Sequence, residues 1–156
     1  MKTKKLTKLI TAILLVSLLA LTLFACINPD RDSEGTMTLV VLDGDNTKAY
    51  TVDLSKLPSG DDAATGLVAV LDYLQAKGEL TYEGDNSIYG LFITKVNSIN
   101  PQGNEFIAIY TSVVTDSYEG APTVTYNGVE CVNSGVGASS MSVLKDCMIV
   151  LVKETY

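Results

Sequence analysis

Three thiols, at Cys26, Cys131 and Cys147, are the most nucleophilic side chains of a 156-residue chain that contains no histidine. Without an imidazole, Ser-His-Asp and Cys-His catalysis are excluded, and so are the usual zinc sites. Cys26 has a specific context. It closes the run Leu23-Phe24-Ala25-Cys26, behind an apolar stretch from Leu9 to Phe24 and a leading segment carrying Lys2, Lys4, Lys5 and Lys8. Basic, apolar and small residues in that order make a secretory leader, and the closing cysteine predicts a lipobox. The chemistry implied is cleavage before Cys26 and attachment of a diacylglycerol to its sulfur. Each buried CH₂ of an acyl chain contributes ~0.8 kcal/mol, so two or more chains hold firmly. An uncleaved span would need ~20 apolar residues, and Thr11, Ser17 and Thr22 interrupt this one. The expected location is extracytoplasmic, anchored to the cell membrane by an N-terminal lipid.

The other two cysteines form an even pair. Beyond a membrane they could be bridged as a disulfide, Cys131 to Cys147. Two buried free thiols are the other reading, and the residues leave both open. Asp43-Gly44-Asp45-Asn46 begins like a calcium loop, but the sixth and twelfth positions, where an EF-hand needs Gly and Glu, hold Lys48 and Leu54. It reads as a hairpin turn, and no metal site is expected. Ser139 and Ser140 have no base beside them, and no GK[ST] element follows Gly135 and Gly137, so neither nucleophilic catalysis nor phosphate cradling is indicated. An enzyme is not expected.

The remaining chemistry is aromatic. Tyr82, Tyr89, Tyr110, Tyr118 and Tyr126 gather in the second half with Phe92 and Phe106. Amphipathic rings at strand ends line ligand or partner surfaces, although tyrosine is also an ordinary strand residue. The candidate ligand-binding set is Tyr89, Gly90, Phe92, Tyr110 and Tyr126.

Positioning those residues requires a mostly β domain. Residues 1–25 are the leader, 26–36 a polar tether, and 37–156 a single domain. Past residue 25 the chain carries seven basic residues against eighteen acids, a net charge of −11, which makes nucleic acid a poor partner. Met37–Leu42 and Lys48–Leu54 predict a hairpin with Tyr50, Val52 and Leu54 on one face. Leu67, Val70, Leu71 and Leu74 recur at helical spacing, which predicts one helix ending near Lys77, capped by Asp62 or Thr65 and closed by Gly78. Leu80–Glu83 reads as a short strand, Gly84–Ser87 as a turn, and Leu91–Val96 as a strand entered through Tyr89-Gly90. Glu105–Val114 reads as the longest strand and, apolar on both faces, as a central one. Asp116–Ala121 reads as a polar loop. Asn127-Gly128 predicts a second hairpin, and Met148–Val152 the closing strand. The fold class is α+β: about six to eight mostly antiparallel strands with one packed helix, as two layers or one curled sheet, behind the leader helix.

Several of these segments together resemble the transcobalamin-like C-terminal domain family. They are TGLVAVLDYLQAKGELTYEG (Thr65–Gly84), YGLFITKVNSI (Tyr89–Ile99), IYTS (Ile109–Ser112) and SGVGASSMSVLKDCMIVLV (Ser134–Val152). In bacteria that family occurs as a domain of unknown function on secreted and surface-anchored proteins. The resemblance implies a β-rich fold with one helix and a binding surface, with a corrinoid such as cobalamin, or another flat cofactor, as the implied ligand. Asp146-Cys147 stands where the family usually has Asp-Gly. The helical barrel that completes the corrinoid clamp in the animal carriers is missing from this chain. The function expected is that of a noncatalytic binding module on a surface lipoprotein. The alternative is a protein–protein module docking to a transporter or cell-surface assembly.

Overall fold

The computed structural model describes residues 29–87 and 90–156. The leader, Cys26 and Tyr89 lie outside the described residues. Among the described residues, eight strands build two sheets. The larger has the order β2-β1-β8-β5-β7-β6 and the smaller pairs β3 with β4. β1 (Thr36–Leu42) and β2 (Lys48–Asp53) are the expected antiparallel hairpin around a short helical turn at Gly44–Asn46. β8 (Met148–Thr155) lies parallel to β1 on one side and antiparallel to β5 (Glu105–Thr111) on the other. β6 (Thr123–Tyr126) and β7 (Val129–Asn133) flank Asn127-Gly128, both with positive φ, as a tight hairpin requires. β5 is central, as its two apolar faces predict. At eight residues, however, β8 is the longest strand, one more than β5.

One α-helix is present among the described residues, α1 (Gly66–Ala76). Leu67, Val70, Leu71 and Leu74 are all fully buried on its inner face, each contributing ~1.5–3 kcal/mol on leaving water. Thr65 is the N-cap residue, but its hydroxyl donates to Ser139 O at 2.8 Å instead of capping the helix. Gly66 has φ +58, and a Cβ there would meet Ala138 O at 2.6 Å, so only glycine lets the helix start this close to the Ala138–Ser140 turn. Gly78 closes the helix at φ +71, with its N–H on Gln75 O and the Glu79 N–H on Leu74 O. No helix among the described residues is long and apolar enough to cross a membrane.

Three expectations are corrected. Gly84–Ser87 is not a turn but most of β3 (Tyr82–Ser87), paired with β4 (Gly90–Val96) through a bulge at Glu83/Gly84. Gly, Asp and Asn are poor strand formers, but this strand is an exposed edge where main-chain pairing suffices. The tether is also shorter than 26–36. Val143 N–H bonds to Asp30 O at 2.8 Å, and Arg31 donates to Pro58 O at 2.7 Å and Leu57 O at 2.9 Å. Lys145 N–H bonds to Asp32 Oδ2 at 2.7 Å. The domain therefore begins near Asp30. Finally, Cys131 and Cys147 are free, buried thiols in separate apolar clusters. Neighbouring strand residues point to opposite faces. Cys147 sits in the larger cluster, with Ile149 and Leu151; Cys131 sits in the smaller, with Met148 and Val150. The disulfide reading gives way to the free-thiol reading.

The two clusters are the two faces of the large sheet. The larger lies under α1 and the β3–β4 ribbon. Every member of the smaller comes from the sheet's own strands. Cys131 Sγ nevertheless reaches Met148 O at 3.8 Å, although β5 lies between their strands in the sheet order. The β6–β7 hairpin must curl over that face, so the large sheet is curled on one side while α1 and the β3–β4 ribbon pack as a separate layer on the other.

Candidate functional site

The curl has a consequence for β5. β8 pairs with it from Glu105 to Thr111, whereas the β7 register covers only Tyr110 and Thr111. One further bond, from Ser134 N–H to Ile109 O at 2.8 Å, ends the contact. Beyond that point the edge of β5 faces a cleft of about 260 Å³. Leu91, Phe92 and Ile93 of β4 line its other side, and Val136 with Ala138 closes its end. The lining is mostly apolar, and Ser87, Asn133 and Ser134 are its polar members. The Ser134 hydroxyl donates to Val136 O at 2.9 Å, and that of Ser87 to Gly90 O at 2.8 Å.

Two of the predicted site residues meet here. Phe92 is 45 % exposed at the cleft. Gly90 has φ +97, and a Cβ there would lie 3.2 Å from Ser139 Oγ. Its missing side chain lets β4 start against the Ala138–Ser140 turn, where Ser139 Oγ accepts the Leu91 N–H at 3.3 Å. Gly90 is thus a packing residue beside the site. Tyr110 and Tyr126 are elsewhere, in the smaller cluster on the curled face. The Tyr110 hydroxyl donates to Glu154. Burial first, and then that carboxylate acceptor, push its pKa up to about 12. Both act as cover for a sheet face and not as part of the cleft.

The thiols are chemically quiet. Burial pushes the Cys131 pKa up to about 11, with the nearby Cys147 thiol adding to the shift, and burial raises that of Cys147 as well. Neither is a ready nucleophile at neutral pH. A larger hollow of about 500 Å³, of mixed lining, opens around Arg31 and the Ser59–Thr65 loop, but the guanidinium already holds the Leu57 and Pro58 carbonyls. Among the described residues no group of three or more His, Cys, Asp or Glu is placed to hold a metal. Asp43 instead accepts from Ser98 Oγ at 2.6 Å, and Glu83 pairs with Lys95 at 3.0 Å.

Two features were hidden in the sequence. One is the unpaired stretch of β5, which depends on where β7 leaves it. The other is Asp116, expected in a polar loop but 7 % exposed. Its carboxylate accepts from Ser142 N–H at 2.6 Å and Ser142 Oγ at 2.9 Å, pinning the loop that forms the end of the cleft.

No family model matches the chain, and no curated protein matches it. Among solved structures, the chain is similar to a "putative metal binding protein" from Ruminococcus gnavus ATCC 29149. The TM-score is 0.51 and the identity 19 %, over 79 % of this chain and 99 % of that one. At that identity the likeness is one of fold.

Proposed function

We propose that this chain is a binding module without a catalytic step, displayed outside a cytoplasmic membrane on a lipid attached to Cys26, and that it docks another protein through the cleft between β4 and β5. The observation that carries the docking part is Phe92, a large ring 45 % exposed beside an apolar recess. Exposed aromatics of this kind anchor interfaces. The recess, at about 260 Å³, falls below the ~300–1,000 Å³ of small-molecule sites, and it suits a short stretch of a larger partner lying along its mouth. The transcobalamin-like resemblance supports a second reading, a corrinoid lying across the mouth with only an edge inserted.

Capture from solubilised membranes tests the docking. Phe92→Ala is expected to abolish recovery of a defined partner while leaving the melting temperature unchanged; equal recovery by both chains would sink the reading. Cobinamide titration tests the second reading, since a bound corrinoid raises the melting temperature. Mass spectrometry tests the anchor. A chain beginning at Cys26 with an acyl adduct is expected, and an intact leader on the membrane-bound protein would rule it out.

A further inference from the structure

The docking reading leaves open how a partner is held, and the main chain around the cleft answers that. In an antiparallel strand, the N–H and C=O of successive residues point to alternate sides. Ile109 O accepts Ser134 N–H on the side away from β8. Two residues back, the N–H and C=O of Ile107 point the same way, into the cleft. Asn104 O and the Ser112 N–H, of opposite parity, bond to the β8 side at Tyr156 and Met148, which confirms the phase. β4 behaves alike. The Leu91 N–H points outward to Ser139 Oγ, and Ile93 shares its parity before the irregularity in the ribbon. Two strand edges thus face one recess, and neither has a strand partner there among the described residues.

We infer that the partner enters this cleft as an extended segment that adds to the open edge of β5 as a new strand, an inference that rests on the docking reading of the same cleft. Open edges recruit strands because pairing satisfies main-chain groups that otherwise face water. Alternation then sets the side chains the segment needs. Those on one side meet Ile107, Ile109 and Val136 of the larger cluster; those on the other meet Phe92 and Phe106. Charge narrows the choice further. Lys95 and Lys153 are engaged by Glu83 at 3.0 Å and Glu105 at 2.9 Å. Asp85, in register with Phe92, forms no ion pair among the described residues. The occupant is therefore an extended apolar segment of another protein, flanked by basic residues, with no proline in its middle.

The test uses the full chain in detergent micelles and a synthetic peptide, Lys-Thr-Val-Thr-Val-Thr-Val-Lys, beside a version with proline for its central Val. Binding is read by fluorescence anisotropy and single amides by hydrogen exchange. In the free chain the Ile107 amide is expected to exchange faster than that of Ala108, which faces β8. The alternating peptide should slow Ile107 exchange at least tenfold, and the proline peptide should bind roughly tenfold more weakly, having lost ladder bonds. An Ile107 amide as slow as Ala108 in the free chain overturns the inference, as does equal binding, or none, by the two peptides. Partner capture that needs Phe92 while the peptide leaves Ile107 exchange unchanged overturns strand addition and leaves docking at the cleft standing.

Discussion

The two faces of the six-stranded sheet are built from the same strands yet closed in different ways. On one, Leu39, Ile149 and Leu151 meet α1 and the β3–β4 ribbon, and the cluster reaches the depth of a full core. On the other, Val40, Val150 and Ala108 pack only with residues of the sheet's own strands, among them Cys131, Val124, Phe106, Tyr110 and Tyr126. A strand apolar on both sides needs two covers. Here the second is supplied by the sheet's own residues, and β7 pairs with β5 only at Tyr110 and Thr111. The cleft lies beside the rest of that β5 edge.

The largest effect should separate the two faces. Leu151→Ala, in the larger cluster, is expected to cost ~2–5 kcal/mol in denaturant unfolding, and Val150→Ala, its neighbour on the curled face, about half as much. Equal costs would mean the curled face is as deeply packed as the other. Asp116→Ala is expected to cost ~1–3 kcal/mol, because the Ser142 N–H and hydroxyl lose their acceptor in a buried site; a loss under ~0.5 kcal/mol, the scale of surface changes, would move Asp116 out of the frame of the cleft.

Alkaline pH should probe the cover over Cys131. Its folded pKa stands at about 11 against an ordinary 9.0. A raised folded pKa gives stability that is complete below the unfolded value and lost as pH rises through the folded one. Unfolding free energy should therefore fall between about pH 9 and pH 11, and Cys131→Ala should flatten that slope; an unchanged slope in the variant would show the thiol to be open to water. Tyr110→Phe should give the smallest effect, ~0.5–1.5 kcal/mol from the lost bond to Glu154, with partner capture intact. Loss of capture would return Tyr110 to the binding surface.

Most of the fold was legible because its signals are local. Leu67, Val70, Leu71 and Leu74 mark the helix by spacing, Asn127-Gly128 marks a hairpin by turn chemistry, and the two apolar faces of β5 mark its central place. β3 was seen only at its start, in the expected strand at Leu80–Glu83, because Gly84–Ser87 are polar and turn-prone, and register alone makes them a strand. The site was half legible. Phe92 and Gly90 sit at the cleft, whereas Tyr110 and Tyr126 carried the same aromatic signal and serve packing. Residue type records that a ring wants partial burial; it does not record which face provides it. The unpaired stretch of β5 depends on where β7 leaves it, and the Asp116–Ser142 contact joins residues 26 positions apart, so no local pattern reports them.

The anchoring of Arg31 to the Leu57 and Pro58 carbonyls sets a standoff distance. Where a lipid holds Cys26, only four peptide steps reach the first docked residue, Asp30, a span of at most ~14 Å. On the proposed anchor the head would be held close, with the pole at Arg31, Val143 and Lys145 nearest the lipid. The β8 register gives the length of the sheet from that pole. Thr38 lies beside Met148 at that pole and Glu105 beside Thr155 at the far end, ~23 Å along the strand. On the proposed anchor, the mouth of the β5 edge would lie toward the end of the sheet away from the lipid.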